Sequence, residues 1–179
     1  METFIKPKQL VSNPGFERQK RKTLADLTDG MIDPPLVDII NGFNNLPYCF
    51  TLQCCYGHFV YDGHWDPHNL DPLPESAQIS SVEYRIAYIA YCIDNGEAGR
   101  ELLDKLQKIT AIDPENIQFC SARWFWRRQV NSYALQVEPD RFKHQDKAVL
   151  DYKEALYIEN LRNEFFLKLE RLLQDQRRL

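Results

Sequence analysis

Between Ile86 and Ile93 the chain reads Ile-Ala-Tyr-Ile-Ala-Tyr-Cys-Ile, eight residues without a charge. A membrane helix needs about 18 or more apolar residues, so this run is the length of a buried strand. Its lack of polar alternation predicts a strand covered on both faces. We expect that strand over Glu83–Ile93, at the centre of a sheet. The rest of the chain must then supply the layers that bury it.

Those layers are legible on either side. Asn13-Pro14 is an N-cap followed by a proline suited to a first helical turn. Phe16, Lys20, Leu24 and Leu27 then share one helical face. Asp33-Pro34-Pro35 opens a second helix whose apolar stripe includes Ile39, Ile40 and Phe43. Residues 48–61 are rich in Tyr, Phe, Leu and Val, and Gly57 interrupts them. A strand, a tight turn or bulge, and a second strand are expected there. Residues 62–79 hold Gly63, Pro67, Pro72 and Pro74 and predict a loop of functional length. Asn95-Gly96 opens a helix with Ala98, Leu102, Leu106 and Ile109 on its stripe. Ile117–Arg127 is expected to be a strand, paired with Ser132–Glu138 as a hairpin around residues 129–131. Residues 147–176 are expected to form one long amphipathic helix. Its buried stripe would be Tyr157, Leu161, Phe165, Leu169 and Leu172, with Glu154, Glu159, Arg162 and Lys168 in water.

The expected fold class is α+β, with a mainly antiparallel sheet of about four or five strands, packing helices and a long C-terminal helix. One domain over residues 1–179 accommodates this. The N-terminal helices occupy 14–45, the sheet and middle helix 48–138, and the long helix 147–176. The composition, 44% hydrophobic and 12% aromatic, suits a packed core. The first residues lack a secretory apolar region, and the five cysteines are an odd number. Together these predict reduced thiols, a cytoplasmic setting and no membrane partner. The net charge of −4 means that nucleic acid would have to bind a local basic patch rather than the whole-molecule field.

The densest polar group is Cys54-Cys55-Tyr56-Gly57-His58, followed by His64, Asp66 and His68. A zinc reading would take Cys55, His58 and either His64 or His68. The spacing fits no established zinc pattern, and Pro67 breaks any helix that would present His64 and His68 together. The expectation is therefore no metal, with buried cysteines and a histidine-bearing loop. Cys55 and His58 would pair as nucleophile and base only if the turn at Gly57 folds them together. In Arg123-Trp124-Phe125-Trp126-Arg127-Arg128, strand alternation would put Arg123, Phe125 and Arg127 on one face. Such a face could hold phosphates and stack a base, so Arg123, Trp124, Arg127 and Arg128 are the expected nucleic-acid-binding residues. The competing reading packs the tryptophans beneath the C-terminal helix. Arg18, Lys20, Arg21 and Lys22 could extend a phosphate-binding surface or be a solvated helix face. No Gly-rich phosphate loop is present.

From Phe16 to His58 the chain resembles the start of the wybutosine-synthesising tRNA methyltransferase family. The matching text is Phe16, Lys20 and Leu24, then Gly30-Met31-Ile32-Asp33, then Ile39-Ile40-Asn41, then Phe50-Thr51-Leu52-Gln53-Cys54-Cys55-Tyr56-Gly57-His58. The family's strand ends Ser-Ser-Cys-Ser-Gly-Arg. Thr51, Cys55 and Gly57 match it, while Gln53, Cys54, Tyr56 and His58 replace its serines and arginine. With the later order of strand, helix and strand, the similarity covers roughly residues 16–120. The resemblance implies an S-adenosylmethionine site at Thr51, Cys55, Gly57 and His58, with tRNA or a small nucleotide-like ligand as partner. Histidine cannot reproduce arginine's bidentate fork, so a divergent relative with a changed ligand or no methyl transfer is expected. The alternative is a non-catalytic ligand- or partner-binding protein on the same fold, using its C-terminal helix to form a homodimer.

Overall fold

The computed structural model describes residues 4–75, 78–142, 145 and 147–176. The fold is α+β. Strands β1 (Phe4–Ile5), β2 (Cys49–Cys55), β5 (Ala87–Ile93), β6 (Ile117–Ala122) and β7 (Ser132–Val137) form an antiparallel sheet in the order β1-β6-β7-β5-β2. Strands β3 (His58–Tyr61), β4 (Ser81–Arg85) and β8 (Lys147–Asp151) form a second antiparallel sheet in the order β3-β4-β8. The helices are α1 (Phe16–Asp26), α2 (Val37–Asn44), α3 (Glu97–Lys108), the short α4 (Arg123–Arg128) and the long α5 (Tyr152–Gln176).

The two sheets share one ribbon. Cys55 pairs with Tyr88 in the first sheet, and His58 opposite Arg85 continues the same register in the second. The β2–β3 and β5–β4 segments are thus one antiparallel pair bent at Gly57 and Ile86. Its tip is the 62–79 loop. Gly57 has φ 91, a left-handed value that disfavours any side chain. A Cβ there would lie 2.8 Å from the Ala87 Cβ and 3.1 Å from the Tyr84 ring. Tyr84 fills the inside of the corner. Its hydroxyl accepts the Ala87 N–H at 2.9 Å and donates to the Val137 carbonyl at 2.9 Å.

The expected single strand over Glu83–Ile93 is therefore two strands in two sheets, because Ile86 sits at the bend. The run from Ala87 does lie inside its sheet, flanked by β7 and β2. The core gathers Tyr84, Tyr91, Tyr133 and Phe43 with the apolar faces of α2, α3 and α5. The expected 147–176 helix starts instead at Tyr152, because Lys147–Asp151 completes the second sheet beside β4. That strand alternates in burial, with Ala148 and Leu150 inside, which is a period of two.

Two further expectations change. The strand expected over Ile117–Arg127 stops at Ala122, and Arg123–Arg128 turns into α4 before β7 begins. Asn131 (φ 62) closes that connection. Its buried amide accepts the Val11 N–H and donates to the Val11 carbonyl, pinning the N-terminal segment. On α5, Glu159 and Arg162 are buried rather than solvated, and Tyr157 is 52% exposed rather than in the core. The interior takes Ala155, Ile158, Leu161, Phe165, Phe166, Leu169 and Leu173. No helix among the described residues is long and apolar enough to cross a membrane.

Candidate functional site

The bend in the ribbon carries the densest polar chemistry. Asp33 stands just before the Pro34–Leu36 turn that leads into α2. Its Oδ2 accepts the Tyr56 backbone N–H at 2.7 Å and lies 3.3 Å from His58 Nε2. The other ring nitrogen, Nδ1, is 3.1 Å from the Asn69 carbonyl of the 62–79 loop. A carbonyl can only accept, so Nδ1 carries a proton. Ligand atoms of Asp33, Cys55 and His58 all lie within 4.8 Å of one another. The His68 ring stands 5.9 Å from the His58 ring, nearly perpendicular to it.

Electrostatics follow from this geometry. The Asp33 carboxylate, and after it the Cys55 side chain, push His58 up to about 10 against the opposing effect of burial. His58 in turn holds Asp33 below the usual carboxylate range, with desolvation working the other way. At neutral pH the pair is an imidazolium beside a carboxylate, on a histidine only 4% exposed. In that state both ring nitrogens are donors, so His58 offers no free base.

A second buried cation braces the same bend. Arg162 of α5 donates from Nη1 to the Gly57 carbonyl at 2.8 Å. Its guanidinium lies over the Tyr56 ring at 4.3 Å and near the Phe59 ring at 5.2 Å. Nε and Nη2 share the Asn163 carbonyl oxygen Oδ1 at 3.2 and 3.1 Å. Glu159 lies 3.8 Å away and accepts the Leu73 N–H at 3.0 Å, which ties the loop to the helix.

The expected cofactor residues divide into two places. Cys55, Gly57 and His58 meet at the bend. Thr51 lies four residues back along β2, about 13 Å at ordinary strand rise. Its N–H and hydroxyl both donate to Asn44 Oδ1, at 2.8 and 3.1 Å. Thr51 borders a separate cavity of about 290 Å³ with Thr23, Leu27, Met31 and Tyr88. The 62–79 loop closes over His58 through Asn69. A larger open cleft of about 820 Å³ begins further along β3, between Val60, Glu83, Arg85 and Val149 on the sheet and Trp65 and Pro67 on the loop. Of the three histidines considered for a metal, His58 and His68 come together. His64 turns toward Tyr61 and Asp71.

The Arg123–Arg128 segment is not a neighbour of the bend. It lies at the Ser132 end of β7, whereas the bend faces the Val137 end, about 17 Å away along the strand. As a helix it groups Arg123 with Arg127, and Trp124 with Arg128, rather than alternating. All three arginines are exposed. Trp124 stacks on Phe125 with centroids 3.7 Å apart, and the Arg128 guanidinium sits 5.3 Å over the Trp124 ring. Trp126 turns inward, its edge against Tyr133, with the Lys8 ammonium over it at 4.9 Å.

Asn69 and Arg162 carry no distinctive signal in the sequence. Asn69 acts through its backbone. Arg162 sits at a spacing from Glu159 that equally describes a solvated ion pair. Asp33 had a visible signal in its position before two prolines, but one that indicated a helix start rather than a partner for His58.

No family model and no curated protein matches the sequence. Among solved structures, the chain is similar to the PH1069 protein from Pyrococcus horikoshii. The two are 16% identical, the match covers 90% of this chain and 95% of that one, and the TM-score is 0.50. At that identity the likeness is one of fold alone.

Proposed function

We propose that the protein is a divergent relative of the wybutosine-synthesising tRNA methyltransferase family. In this reading it binds S-adenosylmethionine at the bend formed by Cys55, Gly57 and His58 and contacts tRNA through α4. One observation carries the reading. The two segments with the most specific resemblance, Gly30–Asp33 and Thr51–His58, are joined directly by the bonds of Asp33 to Tyr56 and His58. Segments 23 residues apart that share a motif and also meet in space are what a common ligand site requires. Thr51 in this reading holds the strand to α2 rather than touching the ligand.

A second reading, a non-catalytic binding protein on the same fold, is favoured by the engagement of both His58 ring nitrogens. That arrangement leaves His58 with no free base nitrogen.

A thermal-shift titration with S-adenosylmethionine, with S-adenosylhomocysteine as comparator, separates the two. A ligand at about one hundred times its Kd adds roughly 2.7 kcal/mol. For a domain of this size that raises Tm by about 5–11 °C. A saturating rise that is lost on His58→Ala supports the first reading. No shift at millimolar ligand removes the cofactor from the proposal and leaves the second.

A further inference from the structure

We propose that Asp33 Oδ2, Cys55 Sγ and His58 Nε2 are three ligands of a divalent transition-metal ion of the zinc class. A fourth coordination position is left to water, with the His68 ring 5.9 Å from the His58 ring. The site does not depend on the methyl-transfer reading, because every contact it uses lies within this chain.

The separation of His58 Nε2 and Asp33 Oδ2 is the first reason. A charge-assisted N–H to carboxylate bond settles at about 2.7–2.9 Å. Two ligand atoms each about 2.0–2.1 Å from zinc at the tetrahedral angle are about 3.3 Å apart. The observed distance is 3.3 Å, so an ion replacing the proton between these atoms would fit without moving either side chain. Cys55 completes a triangle whose ligand atoms are all within 4.8 Å of one another. The edge to sulfur that a bond of about 2.3 Å to zinc requires is about 3.6 Å, which falls inside that limit.

The surrounding bonds are the second reason. Metal-ligating histidines commonly donate their other ring N–H to a carbonyl, which fixes the tautomer and the ring plane. His58 does so through Nδ1 to Asn69, leaving Nε2 aimed at the cluster. Ligating carboxylates are themselves hydrogen-bonded, and Asp33 Oδ2 holds the Tyr56 N–H at 2.7 Å. The bend that assembles these bonds needs a glycine with φ 91 at residue 57. Glycine takes that value without strain, and so lets Cys55 and His58 turn toward Asp33.

Charge and ligand type are the third reason. A thiolate and a carboxylate balance a divalent ion, so the half-buried site is neutral when filled. The mixture of sulfur, imidazole and one carboxylate suits zinc and its borderline neighbours, and not calcium or magnesium, which take oxygen. Filling the site replaces protons. The ion takes the place of the Nε2 proton of His58 and the Sγ proton of Cys55, and both go to solvent. Asp33 is part exposed and His68 is exposed, so an ion can enter without unfolding the bend. Three protein ligands with one open position is the coordination of a reactive rather than a sealed zinc centre.

The test is a cobalt(II) titration of the untagged full chain after treatment with a chelator, read by absorption. We expect uptake of one equivalent with a thiolate-to-cobalt charge-transfer band. Cys54→Ala keeps the band, because Cys54 lies on the other side of the strand, and Cys55→Ala loses it. Asp33→Asn keeps an oxygen for the Tyr56 N–H and weakens cobalt binding by at least about tenfold. Absence of the band in the unaltered protein overturns the proposal, whatever the variants do. Its persistence in a folded Cys55→Ala protein also overturns it. Metal is the only ligand present, so an absent methyl-donor site leaves the result unaffected.

Discussion

A cation buried among aromatic rings costs free energy unless its donors are used, and Arg162 uses them. It joins the Gly57 carbonyl, the Asn163 side chain and the face of Tyr56. Removing it strips a buried carbonyl of its donor and leaves Glu159, 7% exposed, with no cation beside it. Breaking a buried pair of this kind costs about 3 kcal/mol. Arg162→Ala should therefore lower Tm by about 6–12 °C, measured by calorimetry. Arg162→Met, which keeps the bulk, should recover only part of that, since the lost bonds outweigh the lost packing. Equal stability of the alanine variant and the unaltered chain would remove Arg162 as the brace of the bend. Lys20 makes the opposite case. Burial holds its ammonium below the ordinary value of 10.5, and the head donates to the Leu46 carbonyl. A depressed lysine binds fewer protons folded than unfolded between its folded value and 10.5, so stability rises with pH across that window. Lys20→Met lacks this contribution. The stability of the unaltered chain relative to Lys20→Met should rise as pH climbs toward 10.5, as read from urea midpoints. A constant difference would mean that the ammonium is not desolvated.

At the level of elements, the bent ribbon decides the architecture, and Gly57 decides the bend. Gly57→Ala meets two obstacles: a left-handed φ and a methyl 2.8 Å from the Ala87 Cβ. The first costs about 1–3 kcal/mol and the second about as much again. Adding Ala87→Gly removes the shortest contact but leaves the dihedral strain and the Tyr84 ring 3.1 Å from the new methyl. The double variant should therefore regain at most about half the loss in equilibrium unfolding, and full recovery would show that φ at 57 costs nothing. The same bend explains what could be read from the sequence. Local composition and periodicity located β2, β5, β7, α1, α2, α3 and most of the buried run of α5, through helical stripes where one face is covered and an uninterrupted apolar run where, as in β5, both are. Where a strand changes sheets is not local. Ile86 looks the same in the middle of one strand as between two, and only the long-range pairing of β4 with β3 and β8 separates them. Lys147–Asp151 alternates visibly, but five residues before a strong helical pattern merge with it. Arg123–Arg128 has the aromatic residues of a strand and yet coils, since β6 has already reached the end of its partner at Ala122.

On the scale of the whole molecule, the net charge and the charge of α4 have opposite signs. The net charge is −4, while α4 presents Arg123, Arg127 and Arg128 together with a stacked Trp124. An acidic molecule repels nucleic acid except where cations are grouped, as they are on α4. If α4 contacts tRNA as proposed, Arg123 and Arg127 each neutralise about one phosphate, and their loss shows in the salt dependence before it shows in specificity. For single-stranded RNA the slope of log K against log salt is about −0.7 per phosphate contact, and for a duplex about −0.9. Arg123→Ala with Arg127→Ala should then flatten the slope by about 1.4–1.8, measured by fluorescence anisotropy on tRNA across a salt series. Neither arginine supports the core, so thermal stability should stay within about 0.5 kcal/mol of the unaltered chain. A weakened affinity with an unchanged slope would assign the loss to something other than phosphate contact. Unchanged affinity would move the RNA surface away from α4. The bend lies about 17 Å along β7 from α4, and β7 is buried along its whole length, so α4 and the bend are separate surfaces. The double variant should therefore leave cobalt uptake at the bend untouched while RNA binding falls, which separates the two ends of the sheet in one protein.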